Sequence, residues 1–352
     1  MQKLREDDIT PLATGAWILG SGGGGSPHDG WLNLNALYRD GVAIELVDPE
    51  ELGDDDLVAV VSSMGAPLAG QERLADPELS AKPVRALEDW LGRRFDAVMA
   101  VEIGGGNGIE PFLVGATLGL PVVDADAMGR AFPEAQMTSF AIHGLNPFPL
   151  ALGDVRDNAV IVARAASWQW MERLSRVVTT ALGSTAPTAK APRSGREVKD
   201  CAIHGSIGRA IRIGRAVEDA QRRLADPVAS VIEGEDGRLL FTGKVHDVQR
   251  RTSEGFLRGH AVLEGEGTFE VDFQNEYLVG RHDGLPVVMT PDIICLMDVE
   301  SGEAVGTETL RYGQRIAVIT LPVPAILTTP RGLELVGPRA FGYDFDYRGA
   351  FA

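Results

Sequence analysis

Three carboxylates stand where two apolar runs end. Glu102 closes the run from Phe95 to Val101, and Asp124 and Asp126 close the run from Leu120 to Val123. Asn107 lies between them in the glycine turn Gly104-Gly105-Gly106-Asn107-Gly108. A carboxylate becomes a competent general base once burial lifts its pKa towards neutrality, and acids converging in one crevice push their pKa values apart. This set could therefore bind a ligand or do acid–base work on it. The plainer alternative is that strand-ending acids cap the next helix, as Asp124 or Asp126 could ahead of Ala127. A second constellation, Cys201-Ala-Ile-His204, is the only Cys–His proximity in the chain. It could be a nucleophile with its base, or two ligands of a divalent metal such as zinc. Further ligands would have to come from Asp, Glu or His143, and no second paired motif supplies them, so the metal is weakly signalled. His204 precedes Gly205-Ser206, a helix-opening turn of the kind that often carries site residues.

The spacing of apolar residues names the elements that must hold these groups. Phe95 to Val101 reads as a buried strand, Ile109 to Leu118 repeats at helical spacing, and Gly119-Leu120-Pro121 stops it before a second short strand. The two strands of such a unit are expected to be parallel neighbours. Ligands of open α/β sheets bind beyond the carboxyl ends of the strands, where Glu102, Asp124 and Asp126 fall. Upstream, Thr10-Pro11 opens a helix over Leu12 to Leu19 that runs into Gly20-Ser21-Gly22-Gly23-Gly24-Gly25-Ser26-Pro27. Four consecutive glycines are tolerated where a backbone must come very close to a ligand or to another chain segment. Ser26-Pro27 then caps a helix through about Tyr38, so the loop offers N–H groups to an anion or a polarised carbonyl. It lacks the Gly-Lys-Ser/Thr ending of a phosphate loop and the preceding strand of a dinucleotide fingerprint.

The 352 residues exceed what one core usually organises. Strands at 42–47 and 57–64, a helix at 84–91 and further strands at 137–143 and 158–165 make residues 1–166 an α/β domain with a mixed or parallel sheet. Residues 167–227 read as a helical connecting segment, interrupted from Gly183 to Gly195 by a Gly/Pro/Thr/Ser-rich stretch expected to be exposed. Its arginines Arg209, Arg212, Arg215, Arg222 and Arg223 could hold a carboxylate, but more commonly pair with a protein's own acids. Residues 228–352 carry short β-rich runs between glycine turns, the texture of a mostly-β domain built as an antiparallel sandwich or small barrel. There Gln274-Asn275-Glu276 closes a strand, and Asn275 or Glu276 belongs to the site if this domain covers the strand ends of the first. A net charge of −17 argues against nucleic acid or an anionic membrane as partner. The amino terminus lacks a signal-peptide core, two cysteines give no disulfide framework, and a cytoplasmic protein is expected, with a homo-oligomer left open.

Taken together, GSGGGG (20–25), EIGGGNG (102–108), PVVDADAMGRAFPE (121–134), FQNEYL (273–278) and VGPRAFGYD (336–344) resemble the family once called DUF917, now described as S-methyl thiohydantoin desulfurases. The resemblance runs from about Asp8 to Tyr347. It implies an α/β domain followed by a mostly-β domain. It also implies hydrolysis of the methylthio-bearing ring carbon, giving a hydantoin and methanethiol. On that reading Glu102, Asp124 or Asp126 supplies the base, and His204 acts as acid or metal ligand. Backbone at Gly23, Gly24 and Gly25 or at Gly105 and Gly106 holds the ring oxygen. Asn107 and Glu134 belong to the substrate site, and Arg130 binds a propionate-type carboxylate on a hydantoin-like small-molecule substrate. A hydantoinase-type cyclic amide hydrolase and a non-catalytic hydantoin-binding accessory subunit are the competing readings.

Overall fold

The computed structural model describes residues 2–65, 76, 78–253 and 255–351. Its first half is organised by one mixed sheet of nine strands. In chain order these are β1 (Gln2–Lys3), β2 (Glu45–Val47), β3 (Leu57–Gly65), β4 (Ala97–Ala100) and β5 (Val122–Val123), then, past β6 (Ala125–Asp126), β7 (Leu150–Gly153), β8 (Ala159–Val162), β9 (Thr185–Ala189) and β10 (Arg193–Ser194). The spatial order is β1-β2-β5-β4-β3-β9-β7-β8, with β10 also on β3. Only β2–β5, β5–β4 and β4–β3 are parallel. The expected parallel pairing is observed, Val98 lying opposite Val122. All four residues of β4 are buried, as a strand covered on both faces must be.

Helices close both faces. Among them are α1 (Ile9–Leu19), α2 (His28–Arg39), α3 (Lys82–Leu91), α4 (Glu110–Leu118), α5 (Ser139–Ile142), α6 (Trp168–Ala181), α7 (Gly195–Cys201) and α8 (Ser206–Arg222). Helix α1 packs hard against α8: a Cβ on Gly15 would lie 1.8 Å from the Ala210 carbonyl oxygen, and one on Gly214 1.9 Å from that of Pro11. Three arginines of α8 pair with the protein's own acids, Arg209 with Glu235, Arg215 with Asp8 and Arg222 with Asp219.

Two expectations fail here. Residues 139–142 form a helix instead of a strand, because the Thr138 hydroxyl accepts the Ala141 N–H and so caps a turn that β-favouring side chains conceal. The stretch from Gly183 to Gly195 is no exposed connection. It supplies β9, inserted antiparallel between β3 and β7, and β10, with Ala186 to Ala189 buried. Its small side chains suit an interior strand packed on both sides, whereas its proline and threonine content mimics a loop.

After β11 (Ile203–His204), which pairs with β6, the chain builds a second sheet. It comprises β12 (Arg238–Ser253), β13 (Phe256–Gly265), β14 (Gly267–Gln274), β15 (Glu276–His282), β16 (Leu285–Met289), β17 (Ile293–Asp298) and β18 (Arg315–Leu321). All seven pair antiparallel in the order β16-β15-β14-β13-β12-β18-β17, so the expected β domain is one sheet. Phe269, Val271 and Phe273 alternate inward along β14, the period of a half-buried strand. Ile293, Cys295 and Met297 of β17 join Leu12, Trp17 and Ile18 of α1 in one apolar cluster, so the two halves share a core. No described helix is long and apolar enough to cross a membrane.

Candidate active site

A cavity of about 300 Å³ opens where β3, β4 and β9 end, a volume suited to a small ring compound. Glu102 lies two residues past the last residue of β4 and is 5 % exposed. Its Oε1 accepts from Asn107 Nδ2, and its Oε2 accepts from the Phe132 N–H at 3.0 Å. Asn107 is itself fixed, accepting the Ser63 N–H at 2.7 Å. The carboxylate is thus oriented from two sides. Burial nevertheless dominates its titration and pushes Glu102 up to about 7, against the two hydrogen bonds.

The second domain closes the site. Asn275 adopts a left-handed conformation (φ 58°), which asparagine tolerates, and this lets β14 turn into β15 within a single residue. Its Oδ1 accepts the Leu257 N–H at 2.8 Å, while Thr307 Oγ1 donates to its carbonyl at 2.6 Å. The turn delivers Glu276, 2 % exposed, to the cavity wall. Burial, and then the neighbouring Glu102 charge, hold this carboxyl well above the ordinary range, with Arg130 opposing. Its Oε2 has no hydrogen-bond partner among the described residues.

The glycine run makes room for this intrusion. A Cβ on Gly22 would meet the Tyr277 ring at 2.4 Å, and one on Gly23 would meet Glu276 Oε1 at 2.1 Å. Gly24 (φ 75°) lies against the Gly104 carbonyl, and Gly106 N–H donates to the Gly25 carbonyl at 2.9 Å. The close approach that four glycines signal is therefore to other chain segments. Gly24, Gly25 and Gly106 also border the cavity, whereas Gly23 and Gly105 lie behind it.

With those three glycines the structure brings Glu102, Asn107, Glu134, Asn275 and Glu276 to one cavity, and it leaves Asp124, Asp126, Arg130, Cys201 and His204 out of its lining. Asp124 Oδ1 accepts the N–H groups of Ile207 at 2.8 Å and Gly208 at 3.2 Å. That is a capping role, for a helix eighty residues downstream. Asp126, 0 % exposed, accepts from Ile103, Met128 and Gly129 through Oδ2, and burial raises it to about 6. It ties the loop after β4 to the loop after β6. Arg130 is fully buried and donates to the carbonyls of Ala131, Tyr277, Pro291 and Asp292, at 2.6 to 3.3 Å. Its guanidinium is spent on joining the two domains, and it is not available to a substrate carboxylate. Cys201 is the last residue of α7 and His204 the last of β11, and neither lines the cavity. His204 Nε2 lies 3.4 Å from the Val198 carbonyl and Nδ1 lies 4.0 Å from Glu50. No group of three or more His, Cys, Asp or Glu among the described residues has the arrangement of a metal site.

Glu172, Arg176 and Lys190 are among the cavity residues that escaped the sequence reading. Glu172 and Arg176 are paired one turn apart on α6, Glu172 also accepting the Ala135 N–H at 2.9 Å and Arg176 donating to the carbonyls of Pro133 and Gly255, both at 3.1 Å. Lys190 follows β9. Its ammonium is pushed down to about 8 by burial, against the attraction of Glu172 and Glu102. A lone cation inside the small-residue run Thr185 to Pro192 was the signal available for it.

Family models described as S-Me-THD-like match this chain over residues 7–164, as the N-terminal domain, and 166–350, as the C-terminal domain. The chain belongs to the S-Me-THD-like family. Its second family domain begins ahead of α6 and so contributes β9 to the first sheet and Glu172, Lys190 and Glu276 to the cavity, making the site one that both family domains build. A crystal structure of a protein from Chromobacterium violaceum is similar throughout, with TM-score 0.86 and 27% identity over 99% of this chain and 100% of that one. A search of curated proteins returns no match.

Proposed function

We propose that this protein is a hydrolase that replaces the methylthio group of an S-methyl thiohydantoin with oxygen, releasing methanethiol and a hydantoin. The observation that carries the reading is Glu102, a carboxylate at the end of a central parallel strand whose pKa of about 7 suits a base working near neutral pH. The ring carbon between two nitrogens is electrophilic. Water attacks it as Glu102 takes a proton, and charge moves onto the ring nitrogen. Glu276, kept protonated by its surroundings, donates to that nitrogen or to a ring carbonyl, as a buried neutral carboxyl can. Asn107 holds the base in place, and the Glu172–Arg176 pair stiffens the wall beside it.

Thiol release from S-methyl thiohydantoins by the purified full chain tests this, run with and without chelator on protein of measured metal content. Thiol appearing with wild type and lost in Glu102→Ala supports the reading. Ring opening without thiol would favour the cyclic amide hydrolase, and tight binding without turnover would favour the accessory subunit. Loss on chelation would put a metal in the reaction.

A further inference from the structure

We infer that Lys190 is the proton donor to the departing thiolate, an inference that rests on the hydrolytic reading above. Lys190 is anchored where β9 leaves the sheet, its backbone N–H donating to the Val60 carbonyl at 2.7 Å, and its side chain lines the same cavity as Glu102. A lysine kept for structure would be paired. Here the two acids whose charges it feels, Glu172 and Glu102, are each satisfied by other donors: Arg176 and the Ala135 N–H for the first, Asn107 and the Phe132 N–H for the second. Among the described residues the ammonium has no hydrogen bond or ion pair of its own. The other cation of the wall among the described residues, Arg176, is engaged with Glu172 and two backbone carbonyls. Half-buried, and facing two acids that other donors already hold, this ammonium is placed to act on a ligand in the cavity.

The chemistry has a place for it. Methanethiolate is a strongly basic leaving group, and an ammonium held near pKa 8 is acidic enough to protonate it as it leaves and basic enough to be reloaded. The atoms balance as follows. Water oxygen bonds to the ring carbon, one water proton goes to Glu102, and the C=N electron pair moves to nitrogen, which takes the Glu276 proton. As the intermediate collapses, its hydroxyl proton returns to Glu276, the C–S bond breaks, and sulfur takes the Lys190 proton. Glu102 then returns its proton to Lys190. Of the two protons of water, one ends on the ring nitrogen and the other on methanethiol.

Leaving-group dependence separates this role from an anchor for a substrate carboxylate and from a structural counter-charge. We compare the S-methyl substrate with its S-(4-nitrophenyl) analogue, whose thiolate departs without a proton, for wild type, Lys190→Met and Glu102→Gln. Lys190→Met should lose about 100-fold or more in kcat on the S-methyl substrate with KM little changed, recover most of that loss on the aryl substrate, and lose the alkaline limb of its pH profile. Glu102→Gln should be slow on both. Equal losses of Lys190→Met on the two substrates, a change in KM alone, or an unchanged rate would overturn the assignment. Because Lys190→Met removes a charge from a packed wall, a second variant guards against misfolding. Lys190→Cys, aminoethylated with bromoethylamine to restore an ammonium at nearly the same reach, should regain activity, with identically treated wild type as control for Cys201. A folded, aminoethylated protein that regains none overturns the proposal as well. Wild type that releases thiol from neither substrate instead overturns the hydrolytic reading itself.

Discussion

Replacing Glu102 by Gln should make the protein's stability less sensitive to pH. In the folded state Glu102 titrates near 7, while in the unfolded chain it titrates near 4.5, so the folded state binds its proton more tightly. The sign follows: the contribution is fully present below pH 4.5 and is lost as pH rises through 7. The gap corresponds to about 3 kcal/mol in full, of which about 2.5 kcal/mol is lost between pH 5 and pH 8.5. Glu102→Gln removes the titration. It also turns an amide N–H₂ towards one of two fixed donors, Asn107 or the Phe132 N–H, at a cost of about 1 kcal/mol that does not vary with pH. The quantity to read is therefore the change with pH in the difference between the two proteins. Urea unfolding at pH 5, 7 and 8.5, with the slope checked to be constant, should show the variant gaining about 2.5 kcal/mol on wild type across that range. Curves that stay parallel from pH 5 to pH 8.5 would mean that Glu102 is not held near neutrality, and the case for it as base would go with them.

Three further outcomes are expected. The wild-type kcat/KM for thiol release should be bell-shaped: Glu102 must be ionised and Lys190 protonated, so with values of about 7 and 8 about 60% of the protein is competent at pH 7.5 and about 10% at pH 6 or pH 9. Gly23→Ala should depress kcat by displacing the Glu276 carboxyl while leaving the protein folded, whereas Gly24→Ala should chiefly lower the melting temperature, because its Cβ would meet rigid backbone from a left-handed conformation. Arg130→Met should destabilise by about 3 kcal/mol or more in urea titration by stranding the buried carbonyls of Tyr277, Pro291 and Asp292. The fraction that folds should bind carboxylate-bearing and neutral substrates in the same ratio as wild type, and a selective loss of the carboxylate-bearing ones would return Arg130 to the site.

Local physics was legible along the chain. The parallel strand–helix–strand unit, the glycine loop leading into a helix, and the run of antiparallel strands all announce themselves through apolar spacing and turn residues, because those signals act within a few residues. Glu102 was legible for the same reason: a carboxylate directly after a buried strand must fall at the sheet's carboxyl edge. The bland reading of Asp124 as a cap was also available, though not which helix it would cap, since Ile207 and Gly208 are some eighty residues away. Arg130 shows the opposite failure. Its type and neighbourhood suggest a ligand-binding fork, yet its partners are carbonyls from β15 and from the turn before β17 that no spacing within 121–134 could reveal.

By itself, the sequence determined most of the strands and helices, though not the helix at 139–142 or the strands β9 and β10, that two domains follow one another, and that an acid falls just past β4. Tertiary structure alone decided which acids share a cavity, that Glu276 and Lys190 enter it from the second domain, and that Glu102 titrates near 7. The reason is physical. Helix and strand periodicity and capping are short-range properties, whereas desolvation and the effect of the Glu102 charge on Glu276 depend on which distant segments exclude water from the same few ångströms of space.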